Sequence, residues 1–189
     1  MSTVRTLEEQ RQEFSRGRML AMPLAGTIAW AVVGTFGPML DVGRAGLLMY
    51  VATGSIAYPG MFISRFTGEH FLDKSKPKNV FDALFFHGMA QAVLVYSIAI
   101  PFAIEVPSSA PLSVGILAGL MWIPVSWIVQ HWIGWFHTVT RTVLIVAAWY
   151  AFPTQRFLTI PWIIVGVYLV TIAVLERRWQ RVLGAARAG

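Results

Sequence analysis

Two pairs of side chains in this sequence have the types and the spacing to do chemistry. His87 and Gln91 stand four residues apart, and so do His137 and Arg141. On a helix each pair shares one face, one turn apart. Asp82 precedes the first pair by five residues. An imidazole ligates metals, relays protons or hydrogen-bonds between helices, and a guanidinium captures anions. His137 and Arg141 close the stretch Gln130–Arg141, read QHWIGWFHTVTR, which also holds His131 and two tryptophans.

These residues lie in or beside long apolar runs, where polar groups are costly and therefore informative. The chain has 189 residues, 56% hydrophobic and 13% charged, with a mean hydropathy of +0.61. Soluble domains carry about 25% charged residues. Six apolar runs cover residues 19–37, 45–66, 81–104, 112–129, 134–152 and 157–175. Each is close to the ~20 residues that cross ~30 Å of hydrocarbon as a helix. Period-two alternation is absent, which argues against a membrane barrel. The expected fold is therefore all-α, a polytopic membrane protein with a six-transmembrane-helix bundle as its single domain, 1–189. Pro59 and Pro124 fall inside runs two and four and predict kinks there. Gly115 and Gly119 form a close-packing motif, which fits either a contact within the chain or a seam between copies.

Residues 1–18 form a polar leader and 176–189 a basic tail. In the leader Val4, Leu7 and Phe14 approach one helical face, and Thr6 and Glu9 are spaced as a capping box. A short amphipathic helix on the membrane surface follows from this pattern. The leader is too polar and too acidic for a secretory signal, and no A-x-A site follows the first run, so it is expected to stay.

Orientation follows from the basic residues. Arg5, Arg11, Arg16 and Arg18 precede run one; Arg65, at the end of run two, and Lys74, Lys76 and Lys78 stand before run three; Arg177, Arg178, Arg181 and Arg187 follow run six. With six spans all twelve fall on one side, which the positive-inside rule makes cytoplasmic, together with both termini. The net charge of +6 lies almost wholly outside the runs, where it suits anionic lipid headgroups and not nucleic acid. Tryptophans 127, 132 and 135 bracket one connection and read as an interfacial belt.

That topology puts Asp82, His87, Gln91, His137 and Arg141 in the cytoplasmic half and predicts a polar pocket opening to that side. Arg141 lies roughly 10 Å into its span. It either pairs with a carboxylate, Asp82 or Glu69, or snorkels to the interface. The histidines either ligate haem or a metal, relay protons, or bond between helices. No H-x-x-x-H, H-E-x-x-H or three-ligand cluster is present. The absence of cysteine excludes disulfides, thiolate sites and thioether-linked haem. No cofactor is therefore expected, with haem and metal left open. No G-x-S-x-G motif, P-loop or intramembrane carboxylate pair stands out, so no catalytic residue is assigned.

The leader before run one, KNVFDAL at the start of run three, IPVSW in run four and TVTRTVLIVAAWYAFP in run five resemble a family of small bacterial integral membrane proteins without an assigned activity. The resemblance implies the six-helix architecture and a bacterial inner-membrane location, and no activity.

The leading expectation is a homo-oligomeric transporter or channel in the lipid bilayer for a small solute, neutral or anionic. Arg141, His137, His87, Gln91 and Asp82 are its binding candidates. The alternatives are a membrane enzyme or haem- or metal-binding protein, and a structural or interaction subunit with no ligand.

Overall fold

The leader opens as its capping box dictates. In a computed structural model that describes residues 5–71, 73 and 77–188, the side chains of 186–188 excepted, Thr6 Oγ1 accepts from Glu9 N at 3.2 Å. The Glu9 carboxylate accepts from Thr6 N at 2.7 Å. Helix α1 follows, Leu7–Ser15. Val4, Lys74, Lys76 and the Arg187 side chain, used in the sequence argument, lie outside the described residues.

Among the described residues nine further α-helices follow: α2 (Ala21–Phe36), α3 (Val42–Gly54), α4 (Ala57–Thr67), α5 (Val80–Leu94), α6 (Tyr96–Glu105), α7 (Ala110–Gly119), α8 (Trp122–Val129), α9 (Ile133–Ala151) and α10 (Arg156–Ala188). No strand occurs among the described residues. Runs two, three and four are each split into two helices. Proline explains two of the breaks, because its ring clashes with the carbonyl four residues earlier. Pro59 points back to Ser55, between α3 and α4, and Pro124 to Leu120, between α7 and α8. The α3–α4 bend is 42°. The third break, at Val95 between α5 and α6, was not predicted from the sequence.

Among the described residues four segments can cross a membrane by length and composition: Ala21–Met39, Val80–Glu105, Pro107–Val129 and Arg156–Ala185. The bent α3–α4 pair makes a fifth if it is one span. These segments are compatible with a multi-pass membrane protein. Helix α9 is long enough at 19 residues but does not join that set, because it carries His137, Thr138 and Arg141. All three are buried.

Helix α10 is central: it packs on α2, α9 and α7, while α4 and α3 cover α2, and α8 covers α9. Trp30, Ile133, Ile145, Ile160 and Ile164 fill the centre. Gly115 and Gly119 serve contacts within the chain. A Cβ at Gly115 would lie 2.9 Å from Ile145 Cδ1, and one at Gly119 would lie 3.2 Å from Arg141 Cδ. The α5–α6 segment stands apart, 6% buried against 44% for each of the other three candidate spans.

The leader is docked as well as capped. Phe14 packs on Phe81 and Phe85 with ring centroids 6.3 and 6.2 Å apart. The Asn79 amide donates to Gln10 O and to the Glu13 carboxylate. Arg11 donates to Ile128 O, Arg18 pairs with Glu176 at 2.8 Å, and the Glu69 carboxylate accepts from Leu20 N and Ala21 N. Leader, α4–α5 connection, α8–α9 turn and the distal part of α10 thus meet at one end. Helix α9 carries the chain to the other, where Arg156 donates to Ser108 Oγ at 2.6 Å.

Candidate functional site

Helix α8 ends where Gln130 takes the left-handed conformation, φ 50°, which stops a helix by turning its last donors back. His131 N donates to Ser126 O, and Ser126 Oγ donates to His131 O. His131 Nδ1 then accepts from Ile133 N at 3.2 Å and starts α9. Trp127, Trp132 and Trp135 are each more than half exposed around this turn, as an outward-facing belt requires.

Accepting that bond requires an unprotonated Nδ1 on His131. Burial first, then the nearby Arg178 and Arg181, holds its imidazole below the ordinary 6.5. The unfolded chain therefore binds this proton more readily than the folded one. The stabilisation is fully present above pH 6.5 and declines as pH falls below it. Thermal stability in detergent is expected to drop as pH falls below about 6.5. His131→Asn, a cap that does not titrate, should flatten that slope, and equal slopes in both proteins would remove the assignment.

Three residues beyond Gly134, α9 turns His137 into the core, where it is 0% exposed. Its Nδ1 lies 2.9 Å from Thr171 Oγ1, and that hydroxyl already donates its hydrogen to Val167 O at 2.8 Å. Thr171 must therefore accept, Nδ1 must carry the proton, and Nε2 is left with a lone pair. Nε2 faces Arg141 Nη1 at 3.4 Å, where the guanidinium donates. The ring is held between Trp122, stacked at 4.4 Å, and Tyr168, edge-on at 4.8 Å. The nitrogen left to ligate a metal thus looks at a cation. Among the described residues no three of His, Cys, Asp or Glu are grouped to hold a metal ion.

Arg141 is 1% exposed, so it does not snorkel. None of the ion pairs among the described residues involves it; Glu69 holds the start of α2 and Asp82 lies on the exposed side of α5. Its Cζ sits 5.5 Å from the Trp30 ring and 5.6 Å from the Tyr168 ring, close enough for cation–π attraction. The Gly119 backbone forms a wall against its Nε at 3.2 Å from where a Cβ would stand, and Thr138 Oγ1 donates to Gly119 O. Nη1 meets His137 and the Tyr168 hydroxyl stands near the guanidinium, but Nε and Nη2 are buried with no well-formed hydrogen bond among the described residues.

The five candidates therefore fall in three places. Arg141 and His137 form the buried pair. Asp82 lines a cavity of about 930 Å³ at the leader end, with Arg18, Met22, Glu69, Phe86 and Val125 among its other walls. His87 and Gln91 are exposed on α5. Trp30, Trp122, Tyr168 and Thr171 complete the buried site and were not singled out in the sequence. Thr171 and Tyr168 share a face of run six, three residues apart. That spacing was the available signal, but residues of these types are common in apolar runs.

No curated protein and no solved structure matches the chain. A family pattern, described as a family of unknown function (DUF7010), matches residues 7–178 and takes in every element from α1 to the distal part of α10. The chain belongs to that family.

Proposed function

We propose that this chain is a six-span protein of the bacterial inner membrane, with both termini cytoplasmic, that binds and moves a small anionic solute at Arg141. The six spans are α2, the α3–α4 pair, α5–α6, α7–α8, α9 and α10. Helix α9 is counted because its polar groups face inward, which leaves an apolar outer surface. The observation that carries the reading is the Arg141 guanidinium. It is 1% exposed, pairs with no carboxylate among the described residues, and keeps two donor nitrogens unsatisfied. In a low-dielectric interior both the charge and the orphan donors are expensive, and one bound anion satisfies all of them. Helix α8 contributes Val125 to the leader-end cavity and Trp122 to the buried site, so one short helix adjoins both.

The test is thermal stability of the detergent-purified protein titrated with phosphate, sulfate, acetate and chloride, with flux of the responding anion into proteoliposomes. Wild type should gain about 2.7 kcal/mol at a hundredfold excess over Kd. Arg141→Met should lose both the gain and the flux while staying monodisperse. If the variant keeps either, Arg141 is not the site.

The aromatic cage favours a second reading. Trp30 and Tyr168 flank the guanidinium at 5.5 and 5.6 Å, as they would a cation acting only as a strut between α2, α9 and α10 in an interaction subunit. Wild-type protein that responds to none of the anions supports that reading instead.

A further inference from the structure

We propose that α5 is the seam of a symmetric homodimer, in which a second copy of this chain covers His87 and Gln91. The inference rests on the membrane-spanning part of the proposed function and is independent of the anion site. Val80–Glu105 is apolar enough to span, yet only 6% of its most apolar window is buried, so in a monomer most of its residues would meet lipid. Asp82 and Glu105 lie at the ends of that stretch and Ser97 donates to Leu94 O; His87 and Gln91 lie exposed within it. His87 Nδ1 is 2.7 Å from Ala83 O; a carbonyl only accepts, so Nδ1 carries the proton and Nε2 is a bare acceptor. Gln91, exposed one turn further on, makes no side-chain hydrogen bond among the described residues. Hydrocarbon offers neither group a partner.

Helical spacing puts Leu84, His87, Gly88 and Gln91 on one stripe. Leu84 is 48% exposed, and a Cβ added at Gly88 would meet nothing within 4 Å, so a second backbone can come close there. The leader does not cover this stripe, since Phe14 packs on the flank formed by Phe81 and Phe85. Nor is the Gly115–Gly119 motif available as a seam, because it is used inside the chain.

A second copy is the occupant that the chemistry selects. The Gln91 amide both donates and accepts, so two copies related by a twofold axis satisfy each other through it. His87 Nε2 accepts a remaining amide hydrogen of the facing Gln91. No charged residue lies on the stripe, so like charges do not oppose the pairing.

The chain has no cysteine, which makes single-cysteine cross-linking in isolated membranes direct. Leu84→Cys is expected to give a covalent dimer on oxidation or with a short bis-maleimide. Val93→Cys, on the opposite face of α5 and 53% exposed, is expected to stay monomeric. Gln91→Leu should lower the association constant in mixed micelles by roughly 3- to 30-fold. Cross-linking of Leu84→Cys to a protein of different mass, or no cross-link in protein that alkaline carbonate leaves in the membrane, overturns the homodimer alone. Release by carbonate overturns the membrane reading and the dimer with it. An absent response to anions bears only on Arg141.

Discussion

Gly134→Ala is expected to destabilise the protein by about 3 kcal/mol or more, at the upper end of what overpacking costs. The added Cβ would stand 2.2 Å from Trp122 O, 2.6 Å from Ser126 Cβ and 2.9 Å from Ser126 N. Two of those atoms are backbone, so no rotamer change relieves the clash and α8 must move off α9. Such a shift lifts Trp122 from the His137 ring and strains the Ser126–His131 turn that starts α9. The measurement is thermal unfolding and the monodisperse fraction in detergent, with anion response as a second readout. Gly166→Ala is the control, because a Cβ there meets nothing within 4 Å. Equal stability of the two variants would mean that α8 and α9 do not cross at Gly134.

The second large effect separates the volume of Arg141 from its charge. Arg141 is the second-largest of the fully buried side chains, after Trp30. Arg141→Ala removes the packing against Trp30, Tyr168 and Gly119 and leaves a void that the surrounding helices fill only partly. A loss of about 3–5 kcal/mol is expected, as for other large-to-alanine core changes. Arg141→Met keeps most of the volume. It removes an unpaired buried cation and two orphan donors, gives up the cation–π contacts, and leaves His137 Nε2 without its donor. Each orphaned group is worth about 1–3 kcal/mol and each cation–π contact about 0.5–2 kcal/mol, so these terms largely cancel. The methionine variant should unfold within about 2 kcal/mol of wild type. A methionine variant as unstable as the alanine variant would show that the charge itself holds the helices together.

Much of the local structure was legible. The Thr6–Glu9 capping box, the breaks four residues before Pro59 and Pro124, and the exposed tryptophans around the α8–α9 turn all depend on neighbours within a turn or two. The pairing of His137 with Arg141 on one face was readable for the same reason. Arg141's environment was not. A carboxylate partner or snorkelling would each put the guanidinium near the interface. Instead α2 and α10 supply aromatic faces from more than 25 positions away in sequence, and no local rule registers those. The Gly115–Gly119 motif shows the same limit. Its spacing announces a close approach, but only the packing of α9 and α10 shows that both partners lie within the chain.

By itself, the sequence determined the all-helical class, the capped start of α1, the breaks before Pro59 and Pro124 and the one-turn spacing of each polar pair, because these are set by dihedral preference and by 3.6-residue periodicity. His87–Gln91 and His137–Arg141 are indistinguishable at that level. Tertiary structure alone decided that α9 turns its pair into the core while α5 leaves its pair outside. The rotation of a helix about its own axis is fixed by the surfaces packed around it. Helix α9 is enclosed by α7, α8 and α10, whereas among the described residues α5 rests mainly on α1, α6 and Phe71.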